Sequence, residues 1–232
     1  MKGKRAVNSF LILTALVSVA ALSSYAETSL RDKAKSIPWT YNNADTLKQL
    51  IPDNQSATAF VRLFFPDAAL EPQVGEFGFV KLDNTEGLSY VASLDWSGRQ
   101  FYTTILVIRK TDGNFTTQEI HTGGANVSHL FDSIVDLHGD GEKQILVPRL
   151  LGSYAGATPT PSVSDVYRWN GKQFEKANNQ FKDYYANTVL PQLESALTNL
   201  KRGPSTAGPE TKQKLTETLE TEISEVRKII NN

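Results

Sequence analysis

The sequence predicts an α+β protein, mainly β with helical ends, built from two blade-like antiparallel β units and a C-terminal helical hairpin. Three observations carry that reading. Short β-rich runs separated by turn residues fill 77–178, the hydrophobic period becomes helical from Tyr184 onward, and the β region contains an internal repeat.

The chain opens differently. Lys2, Lys4 and Arg5 precede an uncharged apolar run of 13 residues, Phe10 to Leu22, that ends in Ser24-Tyr25-Ala26. A cationic start, a short apolar core and small residues at the two recognised positions make residues 1–26 a cleavable signal peptide, cut before Glu27. The run is shorter than the roughly 20 residues that span a bilayer as a helix, so no membrane span is expected after cleavage. The reading places the protein in the periplasm or outside the cell. The mature 206 residues keep 21 of the 24 basic residues against 25 acids, a formal charge of −4, which is no footprint for nucleic acid. With no cysteine in the chain, disulfides, thiol catalysis and thiolate metal ligation are all ruled out.

Residues 27–76 form a mixed segment, with a helix predicted over Asp45 to Ile51 and a second apolar stretch, Ala59 to Phe65, punctuated by Pro38, Pro52 and Pro66. The β region, 77–180, contains predicted strands at Leu88–Asp95, Phe101–Lys110, Phe115–His121, Ile145–Leu151, Val166–Trp169 and Lys172–Ala177. Asp112-Gly113 and Asn170-Gly171 read as type I′ hairpin turns, because Asx-Gly tolerates positive φ. From 184 to 232, Val189, Leu193, Leu197 and Leu200, then Leu215, Leu219, Ile223, Val226 and Ile230, recur at helical spacing on either side of the break from Gly203 to Pro209. Two apolar stripes joined by a short turn predict a hairpin that packs on the sheet or on itself.

Within the β region, Val91 to Gly98 aligns with Ile134 to Gly141 at an offset of 43 residues. Val107 to Lys110 aligns with Val166 to Trp169 at an offset of 59, the difference falling in the loop Gly152 to Ser164. Strand groups repeating at about 40 to 50 residues suit propeller-type blades. Two blades cannot close a ring, so the sheet edges need covers, and the N-terminal segment and C-terminal helices are the expected ones.

The stretch Val135-Asp136-Leu137-His138-Gly139-Asp140-Gly141-Glu142-Lys143-Gln144-Ile145-Leu146-Val147, with Val166-Tyr167-Arg168-Trp169-Asn170-Gly171 after it, resembles the FG-GAP/VCBS repeats of secreted and surface proteins. That resemblance implies a calcium loop of the pattern D-x-D-G-D-G-x-x-D/E ahead of a strand. Asp136 and Asp140 match its first and fifth positions, and Glu142 falls where a backbone carbonyl serves. His138 replaces the third-position carboxylate and Gln144 the ninth. Calcium takes six to eight hard oxygens, so this set implies weak, millimolar binding at most. The same residues also suit a turn held by Asx hydrogen bonds without metal. In the first unit Ser93, Asp95 and Ser97 stand at the aligned places, with a single carboxylate.

No catalytic motif is found: the chain has no G-x-S-x-G elbow, H-E-x-x-H helix, Walker A loop or dinucleotide fingerprint. His121, His129 and His138 crowd into 18 residues but match no common zinc spacing. Asn54, Asn114 and Asn126 head N-x-S/T triplets, which matter only in a glycosylating host. The reading is therefore a non-enzymatic binding or scaffold protein of the cell envelope, partnered by an envelope protein or glycan, with the loop Gly152 to Ser164 as its exposed contact. Two alternatives stay open: a hydrolase acting on an envelope glycan or peptide, and an inhibitor or chaperone of another exported protein that works through the C-terminal helices.

Mass spectrometry of the exported protein should find a chain beginning at Glu27. Intact Met1 in the exported, soluble fraction would contradict the signal assignment.

Overall fold

Along the strands, side chains alternate between two apolar surfaces, and that alternation sets the layering. The computed structural model describes residues 29–65, 72–96, 102–123, 125–127, 129–151, 162–202 and 208–232. The signal segment and most of the loop Gly152 to Ser164 lie outside them.

The first sheet is a meander of β1 (Pro72–Val80), β2 (Ser89–Trp96), β3 (Tyr102–Thr111) and β4 (Asn114–His121), and the second a meander of β5 (Ile134–Val135), β6 (Gln144–Leu150), β7 (Ser162–Trp169) and β8 (Phe174–Lys176). All pairings are antiparallel. On β2 and β3 the odd-numbered Val91, Ile105 and Val107 join Ile120 of β4 and meet Ile134, Ile145, Val147 and Phe174 of the second sheet in one buried cluster. The even-numbered Tyr90, Ala92, Leu94, Trp96, Leu106 and Ile108 face the other way. They pack under three N-terminal helices: α1 (29–36), α2 (Ala44–Leu50) and α3 (Asn54–Arg62).

Leu146 and Val166, paired across β6 and β7, likewise face out and pack under the C-terminal helices. These are α4 (Lys182–Tyr184), a π turn (Tyr185–Val189), α5 (Leu190–Arg202) and α6 (Pro209–Asn231). Pro191 explains the π turn: it has no amide to donate, and in a regular α-helix its ring would press on the carbonyl four residues back. The protein is thus four layers deep, with helices on both outer faces of two stacked antiparallel sheets.

Local chemistry fixes the ends of these elements. Asp53 caps α3 by accepting the Ser56 amide (2.8 Å), and Ser56 Oγ accepts the Asp53 amide in return. The Lys110 ammonium donates to the Lys35, Ile37 (2.7 Å) and Ala34 carbonyls at the end of α1, tying that helix to β3. Asp112 (φ 52°) and Gly113 (φ 76°) make the predicted tight turn between β3 and β4. The Asn170-Gly171 connection is longer than predicted. It spans 170–173, and Asn170 Oδ1 accepts the amides of Lys172 and Gln173 (2.9 Å each) in an Asx-type turn.

Three expectations change. The N-terminal and C-terminal helices cover apolar sheet faces and not sheet edges, because both faces of each sheet are apolar and only one is shared. β1 begins at Pro72, earlier than the predicted β boundary at Phe77, with a bulge between Val74 and Phe77 into which Ser93 Oγ reaches to accept the Glu76 amide (3.0 Å). The repeat holds for the third strands, β3 and β7, but the segment aligned with the Asp136 loop lies at the end of the second strand. In sheet order the counterpart of that loop is the β1–β2 connection, with Asp83. Apolar-polar alternation followed by Asp and Gly reads the same at the end of a strand as in a loop between strands, so periodicity alone misplaced the register.

Leu219, 1% exposed, sits at the centre of the C-terminal apolar cluster. Leu219→Ala should cost about 3 kcal/mol of unfolding free energy in urea titration, whereas Leu150→Ala, at a site 39% exposed, should cost under about 0.5 kcal/mol.

Candidate functional site

β5 ends after two residues, and the chain then coils through 136–143 before β6 begins. Gly139 (φ 70°) and Gly141 (φ 88°) supply the left-handed conformations this coil needs. A Cβ at Gly141 would also lie 2.5 Å from Asn84 Oδ1, so the Asn84 side chain would have to shift to admit one. The turn directs three backbone amides at one carboxylate. Asp136 Oδ1 accepts from Gly139 (2.6 Å) and Asp140 (3.2 Å), and Oδ2 accepts from Gly141 (2.8 Å). The Gly141 amide, followed by those of Gly139 and Asp140 and the charge of Lys143, holds Asp136 below the usual carboxylate range.

The other four residues are brought to the same loop but turn different ways. Asp140 Oδ1 accepts the Glu142 amide (2.9 Å). His138 stacks on Phe181, ring centroids 4.6 Å apart, with Nδ1 3.9 Å from Asp140 Oδ2. The Glu142 carboxylate turns away to Arg168 Nη2 (2.7 Å). Gln144 is fully buried; its Oε1 accepts the Leu137 amide (2.8 Å) and its Nε2 donates to the Glu142 carbonyl (2.9 Å). A calcium shell would need that carbonyl and the Gln144 oxygen turned toward the ion. In this arrangement the carbonyl accepts from Gln144 Nε2 and the Gln144 oxygen accepts from Leu137, so each already has a partner within the protein. Among the described residues, no three carboxylates and imidazoles converge as a metal cluster. His121 lies at the end of β4, and His129 lies 3.9 Å from Glu76, its side chain 74% exposed.

In the first unit, Ser93 fills the β1 bulge and Asp95 accepts from Thr103 Oγ1 (2.8 Å), while Ser97 lies outside the described residues. The topological counterpart, Asp83, accepts the Thr85 amide (3.0 Å) and pairs with Arg109 of β3, much as Glu142 pairs with Arg168 of β7. In both units an arginine on the third strand holds a carboxylate in the connection between the first two.

Sequence reasoning missed a second polar cluster. Asp165 of β7, only 8% exposed, accepts from Lys176 (2.8 Å), Asn178 (3.0 Å) and Arg149 (3.4 Å), and Arg149 also bonds Glu222 of α6. Burial alone would raise the Asp165 pKa, but these donors and the charges of Lys176 and Arg149 bring it below the usual range. Two shallow clefts, of about 490 and 650 Å³, flank the Arg149–Glu222 pair along α6. A lone Asp within a β run, paired with residues 11, 13 and 16 positions away, leaves no periodic trace in the sequence.

Fold and loop together define an α+β protein of two stacked antiparallel sheets with a hydrogen-bonded acidic turn. Comparison with protein-family models, with curated proteins and with solved structures finds no match.

Because Asp136 titrates lower in the folded chain than in the unfolded one, its contribution to stability is complete above about pH 4 and is lost as pH falls through the folded value. Between pH 5 and pH 2.5 the melting temperature of the wild type should therefore fall more steeply than that of Asp136→Asn. Parallel curves would show that the three amide bonds do not hold the carboxylate.

Proposed function

We propose that the chain is an exported, non-enzymatic binding or scaffold protein of the cell envelope, built on two units that resemble FG-GAP/VCBS repeats. One observation carries this reading: the charged groups beside the clefts are engaged with one another and do not converge on open space. Arg149 is held by Asp165 and Glu222, Lys176 by Asp165, and Lys228 by Glu225 (2.6 Å). A general acid needs a pKa near the working pH, and Asp165 is held in the opposite direction. The hydrolase reading is correspondingly the less supported one.

The helical hairpin spends its apolar stripe internally, since Leu215, Leu219, Ile223 and Val226 are all buried in one cluster with Tyr185, Val189 and Leu193 of the preceding helical segments and Val166 of the second sheet. That argues against a detachable chaperone arm. A shallow surface beside α6, with Leu150 39% exposed at its rim, is the contact face this reading favours. Among the described residues lining the two clefts, none is aromatic. Sugar rings are commonly held by stacking on aromatic faces, so the partner is better taken as a protein than as a glycan.

In crosslinking capture from the envelope fraction of the native host, the mature wild type should retain a defined protein that Leu150→Glu retains at least about tenfold less well, with no turnover of peptide or glycan substrates. Hydrolysis of either substrate class, abolished in Glu222→Gln, would establish the hydrolase instead.

A further inference from the structure

We infer that the Gln144 carboxamide does the work a cation does in the calcium loops this turn resembles, making the loop a self-contained clamp whose integrity does not depend on external calcium. The inference rests on that resemblance for its comparison, but the clamp itself rests on geometry alone. A bound cation closes such a loop by drawing oxygens from both ends onto one centre. Gln144 closes this one from the same two ends, accepting the Leu137 amide at 2.8 Å and donating to the Glu142 carbonyl at 2.9 Å. Its side chain is fully buried at the first position of β6, so water does not compete for either bond.

The charges are consistent with this. An imidazole at 138 and a neutral amide at 144 replace two carboxylates of the resembled pattern, removing two negative charges, which equals in magnitude the charge of the divalent ion they would have bound. What remains is compensated within the protein. Three amides and the charge of Lys143 stabilise Asp136, Arg168 neutralises Glu142, and the Asp140 carboxylate accepts the Glu142 amide (2.9 Å), while Asn84 Nδ2 donates to the Asp140 backbone carbonyl (3.1 Å). A carboxylate at 144 without an ion would be a buried, unpaired charge, whereas the amide satisfies itself as both donor and acceptor.

The clamp also joins three parts of the fold. Asn84 and the Leu82 carbonyl, which accepts the Lys143 amide (2.9 Å), belong to the first unit, and Phe181 under His138 leads into the C-terminal helices. Holding the loop therefore holds the register between both sheets and the hairpin.

Thermal scans of the mature wild type in 10 mM calcium chloride and in chelator should superimpose within 1 °C. Gln144→Ala should melt about 4 to 8 °C lower in both. In chelator, NMR of the wild type should show the Leu137 amide and the Gln144 side-chain NH₂ protected from exchange, a readout that does not require the variant to fold. A calcium-induced rise of about 3 °C or more in the wild type, or rapid exchange of both groups, would overturn the clamp. The double variant His138→Asp/Gln144→Asp tests the resemblance separately. It should gain a calcium response, and failure to do so would remove the resemblance while leaving the amide clamp standing.

Discussion

The buried face shared by the two sheets is the constraint on which the rest of this structure depends. Val91, Ile105, Val107 and Ile120 from one side and Ile134, Ile145, Val147 and Phe174 from the other leave water together, and each sheet is then left with a second apolar face. A sheet that is apolar on both sides cannot stop at two layers. The N-terminal helices and the C-terminal hairpin are the response, each closing one outer face. Polar groups at the margins of the shared face set its register. Gln118 exchanges two 2.7 Å hydrogen bonds with the Phe174 backbone, and the Arg109 guanidinium lies 4.1 Å over the Trp169 ring while pairing with Asp83. The Glu76 carboxylate accepts the Leu130 amide (2.7 Å) where the chain passes from the first sheet toward the second.

The acidic turn is best understood as part of that same arrangement. Its contacts to Leu82, Asn84 and Phe181 reach both neighbouring layers, so a loop that resembles an ion site serves here as a joint between units. The Arg149–Asp165–Glu222 cluster plays the matching part on the outer side, fastening α6 to β6 and β7 through partly buried charges that are fully paired. In both clusters the charged groups are bonded to other groups of the protein.

Much of the architecture is legible in the sequence because it follows from periodicity. Alternation marks β2, β3 and β4, Asp112-Gly113 marks their tightest turn, and the spacing of Leu215, Leu219, Ile223 and Val226 marks α6. What escapes is what periodicity does not encode. β1 is absent from the predicted strands because Pro72, Gly75 and Gly78 interrupt its pattern, yet Gly75 lies against Ser93 in a bulge and Gly78 against the Phe131 ring. The helix over 29–36 carries a single fully buried side chain, Ala34, among charged neighbours, so its apolar stripe is too thin to see. All five residues of the candidate site are picked out by the resemblance; four of them share one loop, and Gln144 begins the strand that follows it. Whether Gln144 points its oxygen at an ion or its amide at a carbonyl is a rotamer choice made by burial, and only the structure shows it.

Native-state hydrogen exchange tests the central claim most directly, by asking whether the shared face makes the two units one cooperative body. The account predicts that the slowest amides of β2 and β3 and those of β6 and β7 merge into one exchange isotherm with a common free energy and a common denaturant dependence. Two isotherms, with the second sheet and its helices opening at clearly lower free energy while the first stays protected, would contradict it.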